Sequence, residues 1–159
     1  MLFRSDRVAM LEIAIRPEPS WSVSRIEIER AGPSYTYDTL CELAGELGLP
    51  RKAELFHLIG WDNLRGLERW YRARDMLALA QPIVVWRGED DPGLLEHLRR
   101  ALGPELYGRI ERGLVRVPPA PESATDLRAR LARGEDPGPE LPAGVLEYIR
   151  ARNIYRSGA

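Results

Sequence analysis

ELFHLI, residues 54–59, is a nearly continuous apolar run of strand length, and Gly60 ends it. PIVVW, residues 82–86, is a second run of the same kind. Strands that are apolar on both faces are typical of parallel sheets whose faces are covered by helices. Between the two runs, residues 72–80 have the apolar spacing of a helix. The apolar pattern of residues 54–86 therefore predicts two strands of a parallel sheet with a helix between them.

Further helices and strands are predicted on both sides of this centre. Apolar residues three and four apart predict helices over residues 6–15, 40–47, 94–102 and 123–131, a short one around 106–110, and a last one from about Pro142. Alternating apolar residues predict strands over residues 21–29 and 114–117. Because strands and helices alternate, the fold class is α/β with helices on both faces of the sheet.

Composition narrows the function classes. The 159 residues suit one domain, and 23 basic residues against 24 acidic ones leave a formal net charge of -1. That balance argues against a protein dedicated to nucleic acid or to membrane surfaces. One cysteine, Cys41, excludes an intrachain disulfide, and no apolar run is long enough for a membrane span. No secretory signal opens the chain, so we expect a cytoplasmic protein with no structural metal.

Two loops at the starts of predicted helices suit anions. In residues 30–38, RAGPSYTYD, a glycine-containing loop runs into a helix whose first amides suit a carboxylate or phosphate; the alternative is a cap from Ser34 or Thr36. In residues 122–128, ESATDLR, Ser123, Thr125 and Arg128 suit a phosphate, whereas Ser123 with Asp126 also fits a capping box.

Two further places suit a nucleotide. Asp62 follows the central strand, where ligands of parallel sheets bind, and it suits a ribose or an amide; the alternative is an Asx-turn. Trp70, in RWYR at residues 69–72, suits stacking on a flat ring, and the alternative is a plug of the core. We expect Cys41 to pack, and we predict a core or sheet-face position for His57 and a solvated helix position for His97.

Six blocks, taken in order, resemble bacterial nicotinate-nucleotide adenylyltransferase. They are DRVAMLEIAI, IEIERAGPSYTYDTL, ELFHLIGWDNLRGLERWYR, PIVVWRG, ESATDLRARLARGE and LPAGVLEYIRARNIY. The resemblance covers the chain from about Asp6 onward. It implies a Rossmann-like nucleotidylyltransferase fold with a doubly wound, mostly parallel sheet.

The resemblance also implies roles for individual residues. Tyr35 and Thr36 match the loop that meets the nicotinate carboxylate, Trp70 matches the tryptophan that stacks on the pyridine ring, with Tyr71 beside it, and Asp62 matches the aspartate at the ribose. Ser123, Thr125 and Arg128 match the motif that holds the ATP phosphates. No catalytic residue and no protein-bound metal is carried over.

Three departures from the family pattern stand out. Glu122 replaces the usual isoleucine, and Trp61 stands where a small or polar residue is common. The third is the family's opening Gly-Gly-x-Phe-Asp-Pro-x-His-x-Gly-His, which grips the ATP phosphates and which this sequence does not contain. We therefore expect an N-terminally truncated chain, with residues 1–5 outside the family pattern. One domain is predicted over residues 1–159, with the phosphate motif in a helical part at 118–159.

The implied reaction is transfer of the adenylyl group of ATP to nicotinate mononucleotide, giving deamido-NAD and pyrophosphate in NAD biosynthesis. The partners are ATP and nicotinate mononucleotide, and Mg²⁺ comes with ATP. Without the opening motif we expect this chain to be inactive alone, and to self-associate through unpaired strand edges. The alternatives are a non-catalytic nucleotide-binding remnant and a nucleotidylyltransferase for another phosphorylated acceptor.

Overall fold

Three parallel strands form the sheet that the two apolar runs predict. The computed structural model describes residues 4–48, 55–86, 91–118 and 124–155. Its strands are β1 (Leu55–Gly60), β2 (Ala80–Trp86) and β3 (Leu114–Arg116), and they lie side by side in that order. Both pairings are parallel, with Ile59 opposite Val84 and Val84 opposite Leu114. The prediction of a parallel sheet is confirmed.

Helices precede, connect and follow these strands. Among the described residues, the α-helices are α1 (Arg4–Ala14), α2 (Ile26–Glu29), α3 (Thr36–Glu46), α4 (Ala73–Leu79), α5 (Pro92–Leu102), α6 (Pro104–Arg112), α7 (Ala124–Ala132) and α8 (Ala143–Ala151). Short 3₁₀ helices lie at Trp61–Leu64, Leu67–Arg69 and Gly138–Glu140. Apolar spacing predicts each α-helix except α2. In the described ranges, no helix has both the length and the apolar character that crossing a bilayer requires.

The described residues form two compact units, and each has its own apolar cluster. The sheet unit comprises residues 30–48, 55–86 and 91–118. The helical unit comprises residues 4–29 together with 124–155. The single domain over residues 1–159 that the sequence suggests stays a prediction.

One face of the sheet forms the core of the sheet unit. Ala80, Val84 and Trp86 alternate along β2 on this face and are at most 5% exposed. The helices add buried residues to the same cluster: Leu40, Met76, Leu77, Leu94, Leu98, Leu102, Leu106, Tyr107 and Ile110. Burial of these side chains fixes β2 as the central strand, because removing apolar area from water is the main stabilising term.

The opposite face of the sheet is open at β1. Phe56 and Leu58 are 56% and 67% exposed, and Val115 of β3 is 44% exposed. The register places Leu58 opposite Ile83 and Val115 opposite Val85, so these side chains share one face. The expectation that β1 is covered on both faces was wrong, because the helices of the sheet unit contribute their buried residues to the other face.

The strand expected over residues 21–29 was also wrong. Residues 21–25 have no regular structure, and the next four residues form the single turn α2. The Ile26 amide donates to Ser24 Oγ at 3.3 Å, and the Glu29 amide donates to the Arg25 carbonyl oxygen at 3.0 Å. A serine side chain can satisfy nearby backbone groups in this way and so compete with strand pairing. Ile26 is buried while Ile28 is 40% exposed, so no apolar strand face forms.

The helical unit is held by a second apolar cluster and one buried carboxylate. Its buried members, from α7, α8 and the turn that follows α8, are Leu131, Val145, Leu146, Ile149 and Ile154, against which Met10 and Ile13 of α1 pack. Asp6 is only 3% exposed. Its Oδ1 accepts hydrogen bonds from the Tyr148 hydroxyl at 2.9 Å and from Arg152 Nη2 at 3.4 Å. These partners offset the cost of burying a charge.

Gly113, between α6 and β3, has no room for a side chain. A Cβ atom there would overlap the carbonyl oxygen of Pro82 and lie 3.1 Å from the side-chain nitrogen of Gln81. The Val84 amide donates to the Gly113 carbonyl oxygen at 2.7 Å. This close approach brings the start of β3 beside β2.

We predict that Gly113→Ala lowers the free energy of unfolding by about 1–3 kcal/mol, because a crowded backbone contact forces neighbouring atoms to move. Urea unfolding measures the change. Gly45→Ala is the matched control, since nothing lies within 4 Å of a Cβ atom at that position in α3. It should raise the free energy of unfolding by about 0.5–1 kcal/mol through helix propensity. Equal effects of the two substitutions would contradict the close approach.

We predict that His57 makes the free energy of unfolding depend on pH. Burial in mid-strand lowers its pKa below the usual value, and no described residue hydrogen-bonds its Nδ1. Since the unfolded chain then binds the proton more readily, stability present above about pH 6.5 is lost as the pH falls below it. We expect the free energy of unfolding to fall between pH 7.5 and 5.5, and His57→Gln to remove much of that fall. The exposed His97, changed to glutamine, is the control and should leave the fall in place.

Candidate functional site

A pocket of about 350 Å³ in the sheet unit brings together two segments that are far apart in sequence. Ser34, Tyr35 and Thr36 come from the loop that enters α3. Arg69, Trp70 and Tyr71 come from the turn that precedes α4. The volume is in the range of small-molecule sites. Four of the residues predicted to bind substrate, Tyr35, Thr36, Trp70 and Tyr71, therefore line one pocket.

The N-terminus of α3 lines this pocket. The N-cap is Tyr35, in an extended conformation, and its side chain makes no capping hydrogen bond. The N-cap position is thus occupied by Tyr35, between the Ser34 and Thr36 that the sequence suggests for it. The first amides and the dipole of a helix give its N-terminus a partial positive charge. The pocket therefore favours an anionic group such as a carboxylate.

Arg69 adds a full positive charge to the pocket wall. Its side chain is 77% exposed, and its Nη1 lies 3.2 Å from Glu68 Oε1. Glu68 also faces His97, with Oε1 3.4 Å from Nε2. A hydrogen bond from its own backbone amide, helped by His97, holds the pKa of Glu68 below its usual range. Because the Arg69 guanidinium is largely in solvent, this ion pair is weak, and Arg69 can turn to a ligand at little cost.

Trp70 combines the two alternatives that the sequence leaves open. It is half-buried and packs against the main apolar cluster, and it also lines the pocket. Its amide donates to the Leu67 carbonyl oxygen at 3.1 Å, which ends the short 3₁₀ helix. An indole that is anchored in the core and open on one side is a rigid surface for a flat ring.

Two ring contacts join the pocket's segments. The rings of Tyr35 and Tyr71 lie 4.5 Å apart at 35°, and the guanidinium carbon of Arg72 lies 4.0 Å from the centre of the Tyr37 ring. Arg72 Nε also donates to Asp75 Oδ2 at 2.7 Å. That hydrogen bond raises the pKa of Arg72 above its usual value. A hydrogen bond with Cys41, together with burial, raises the pKa of Tyr37.

The other predicted site residues lie outside the pocket lining. Asp62 is exposed in the 3₁₀ helix that follows β1, at the carboxyl end of the strand. That helix has Gly60 as its N-cap, so an Asx cap from Asp62 is not what begins it. Thr125 and Arg128 are exposed on α7 in the helical unit. Ser123 lies outside the described residues.

Curated relatives share sequence with nearly the whole chain. A Dehalococcoides mccartyi protein named "Probable nicotinate-nucleotide adenylyltransferase" is 36% identical over 154 residues, which is 95% of this chain and 72% of the relative. Proteins of the same name from Chromobacterium violaceum and Streptomyces coelicolor are each 38% identical, over 96% and 95% of this chain and 74% and 73% of their own length. The chain belongs to the nicotinate-nucleotide adenylyltransferase family.

Solved structures similar to this chain show which fold it has. Two structures of the Plasmodium falciparum nicotinic acid mononucleotide adenylyltransferase, one complexed with APC and one with NaAD, superpose with TM-scores of 0.62 and 0.60. Sequence identities are 15% and 16%, with 98% of this chain and 77% and 75% of those chains covered. The predicted Rossmann-like α/β nucleotidylyltransferase fold is confirmed. No protein-family model matches the chain.

Trp61, one of the departures from the adenylyltransferase pattern, has a structural explanation. Its ring stacks on that of Trp86, with centres 4.1 Å apart and planes within 3° of parallel. Arg116 lies over the Trp86 ring at 4.4 Å. The stack is at the carboxyl ends of the strands, and Asp62 follows it directly, so the tryptophan fixes the start of the turn that carries the aspartate. The second departure, Glu122, lies outside the described residues.

Sequence reasoning missed part of the pocket. Arg69 is not among the residues that the sequence predicts to bind substrate, although a cation beside a ring-binding tryptophan can pair with an anionic ring substituent. Arg72 is not among them either, because its left-handed backbone has no sequence signature. The expectation that Cys41 packs was wrong, because the residue is exposed.

Proposed function

We propose that the pocket binds nicotinate mononucleotide and that the chain serves in adenylyl transfer from ATP to this acceptor, the reaction that forms deamido-NAD and pyrophosphate. The observation that carries the proposal is the meeting of Trp70, Tyr71 and Arg69 with the N-terminus of α3 around one pocket. A flat ring with a carboxylate matches such a wall, because one side supplies an aromatic face and the other supplies positive charge.

Each residue then has a role in the proposal. Trp70 stacks on the pyridine ring with Tyr71 beside it, while the backbone of Tyr35 and Thr36 and the guanidinium of Arg69 meet the carboxylate. Asp62 accepts a hydrogen bond from the ribose. The phosphates of ATP are assigned to Ser123, Thr125 and Arg128, as the family resemblance implies.

The chemical step needs no nucleophile from the protein. A phosphate oxygen of nicotinate mononucleotide attacks the α-phosphorus of ATP, and a new P–O bond forms there as the bond to the bridging oxygen of pyrophosphate breaks. The protein's part is to align two anions and to offset charge on the transferred group. In this chain the pocket residues fix the acceptor, and fixing it lowers the entropic part of the barrier.

Mg²⁺ is implied as the companion of ATP and supplies charge neutralisation on its phosphates. Among the described residues, no group of three or more His, Cys, Asp and Glu side chains is placed to hold a metal ion. Mg²⁺ is commonly held largely by substrate phosphates and water in nucleotide-dependent enzymes, and we propose the same arrangement for this chain.

Tryptophan fluorescence tests the binding proposal. Nicotinate mononucleotide should quench the emission, while the nicotinamide form should bind more weakly because it lacks the carboxylate charge. Trp70→Ala should remove the quenching and weaken binding about tenfold or more, which corresponds to about 1.4 kcal/mol of lost stacking and burial. Trp21, which is 64% exposed in the helical unit, provides the control Trp21→Ala. Unchanged binding by Trp70→Ala would exclude the pocket as the ring site.

A pyrophosphate-release assay measures turnover by a polypeptide of this sequence alone. Because these 159 residues contain no Gly-Gly-x-Phe-Asp-Pro-x-His-x-Gly-His, we propose that a polypeptide of this sequence alone binds the mononucleotide without rapid turnover. Rapid release of pyrophosphate with nicotinate mononucleotide would contradict this proposal, whereas binding without release agrees both with it and with the non-catalytic alternative. Release with another phosphorylated acceptor, and none with nicotinate mononucleotide, supports the other nucleotidylyltransferase.

We also propose that β1 favours self-association. Its exposed Phe56 and Leu58 lie on an edge strand of the described sheet, and such edges pair readily with other copies. Sedimentation velocity should show a concentration-dependent increase in size that Leu58→Lys reduces. Leu47→Lys is the matched control, because Leu47 is exposed to 65% at the end of α3. A monomer at every concentration would count against the proposal.

A further inference from the structure

Arg72 occupies a backbone conformation that residues with a side chain rarely adopt. Its φ of 51° and ψ of 39° are left-handed, and it is the N-cap of α4. The chain is extended at Trp70 and becomes helical at Ala73, so Arg72 lies where the chain changes direction. Glycine meets this requirement without strain. An arginine at such a position indicates that its side chain contributes something that offsets the strain.

The side chain of Arg72 makes two contacts in different directions. Its Nε donates to Asp75 Oδ2 at 2.7 Å, which ties the guanidinium to the first turn of α4. The face of the guanidinium lies on the Tyr37 ring, 4.0 Å from its centre. Tyr37 belongs to the first turn of α3, the helix whose N-terminus lines the pocket. Arg72 therefore links the two segments that form the pocket.

A second contact, between the rings of Tyr71 and Tyr35, also joins the two segments. Tyr71 packs on Tyr35, so consecutive residues of the turn contact residues 35 and 37 of the opposite segment. Both contacts join planar groups, two tyrosine rings in one case and a guanidinium with a ring in the other, and the guanidinium plane is suited to stacking on an aromatic face. The pocket lies between the two segments that these contacts connect.

We propose that Arg72 is a positioning residue, whose guanidinium, tied to Asp75 and stacked on Tyr37, holds the Trp70–Tyr71 turn against the N-terminus of α3 and so presets the pocket. The inference rests on the proposed function for its ligand, nicotinate mononucleotide. It assigns to Arg72 no contact with that ligand. Its effect on binding comes from preorganisation, which removes the cost of ordering the turn when the ligand binds.

Arg72→Gly is the decisive variant, because glycine keeps the left-handed turn without strain and removes the stack. We expect urea stability equal to or above that of the parent chain, together with about fivefold to tenfold weaker binding of nicotinate mononucleotide. Arg74→Ala is the control for the loss of a nearby positive charge, since Arg74 is exposed on α4 and outside the pocket lining. Equal weakening by both variants would reduce the effect to charge and overturn the proposal.

Hydrogen exchange decides the question without a ligand. The Trp70 amide donates to Leu67 and the Ala73 amide to Trp70, both at 3.1 Å, and the Thr39 amide donates to Tyr35 at 3.1 Å. In Arg72→Gly these amides should exchange several times faster, while amides of β2 keep their protection. Unchanged exchange at Trp70 and Ala73 overturns the positioning role even if binding falls.

The two proposals fail in different ways. If the parent chain does not bind nicotinate mononucleotide, the proposed function fails, and the exchange rates still decide whether Arg72 orders the turn. Tyr37→Leu supplies the reciprocal test from the other segment. It should weaken binding as Arg72→Gly does, and the double variant should bind no more weakly than either single variant. Additive losses would contradict a shared contact.

Discussion

The parallel pairing of β1 with β2 is the constraint on which the candidate site depends. It places Ile59 opposite Val84 and brings the carboxyl ends of both strands to one edge of the sheet. At that edge Trp61 stacks on Trp86, so the residue after β1 is fixed against the last residue of β2. Because two parallel neighbours require a crossover, the chain must return through α4, and the turn before α4 carries Trp70. The pocket residues are therefore positioned by strand pairing as well as by their own contacts.

Local charge, and not the charge of the whole chain, matters for the proposed ligand. The formal net charge is only -1, yet the described pocket combines Arg69 with the N-terminus of a helix. A near-neutral protein can bind an anion when a few positive groups converge in a partly enclosed space. Net charge is informative about extended polyanions, whose affinity depends on many contacts at once, and much less so about a single carboxylate.

The sequence predicted most of the fold because burial has a clear periodicity in the strands and in most helices. ELFHLI and PIVVW gave the paired strands, and spacing located every helix but α2. The strand predicted over residues 21–29 does not form because Ser24 accepts a hydrogen bond from a nearby backbone amide. In a short exposed segment this local effect outweighs apolar alternation. The pocket is a different case. Residues alone left Trp70 and Tyr35 ambiguous, and only the family resemblance favoured function. The position of Arg72 in the pocket's framework could not be predicted from the sequence, because its left-handed backbone and its stack on Tyr37 are visible only in the structure.

Gly113 has a consequence for how sequences of this kind evolve. A Cβ atom at this position would overlap the carbonyl oxygen of Pro82, and every other amino acid carries a Cβ atom. Any substitution at position 113 therefore lowers stability, whatever the chemistry of the incoming residue. A substitution there is tolerated more readily once the backbone near Gln81 and Pro82 has shifted, so the order in which mutations arise matters. This close approach of two backbone segments thus links the evolution of residue 113 to that of residues 81 and 82.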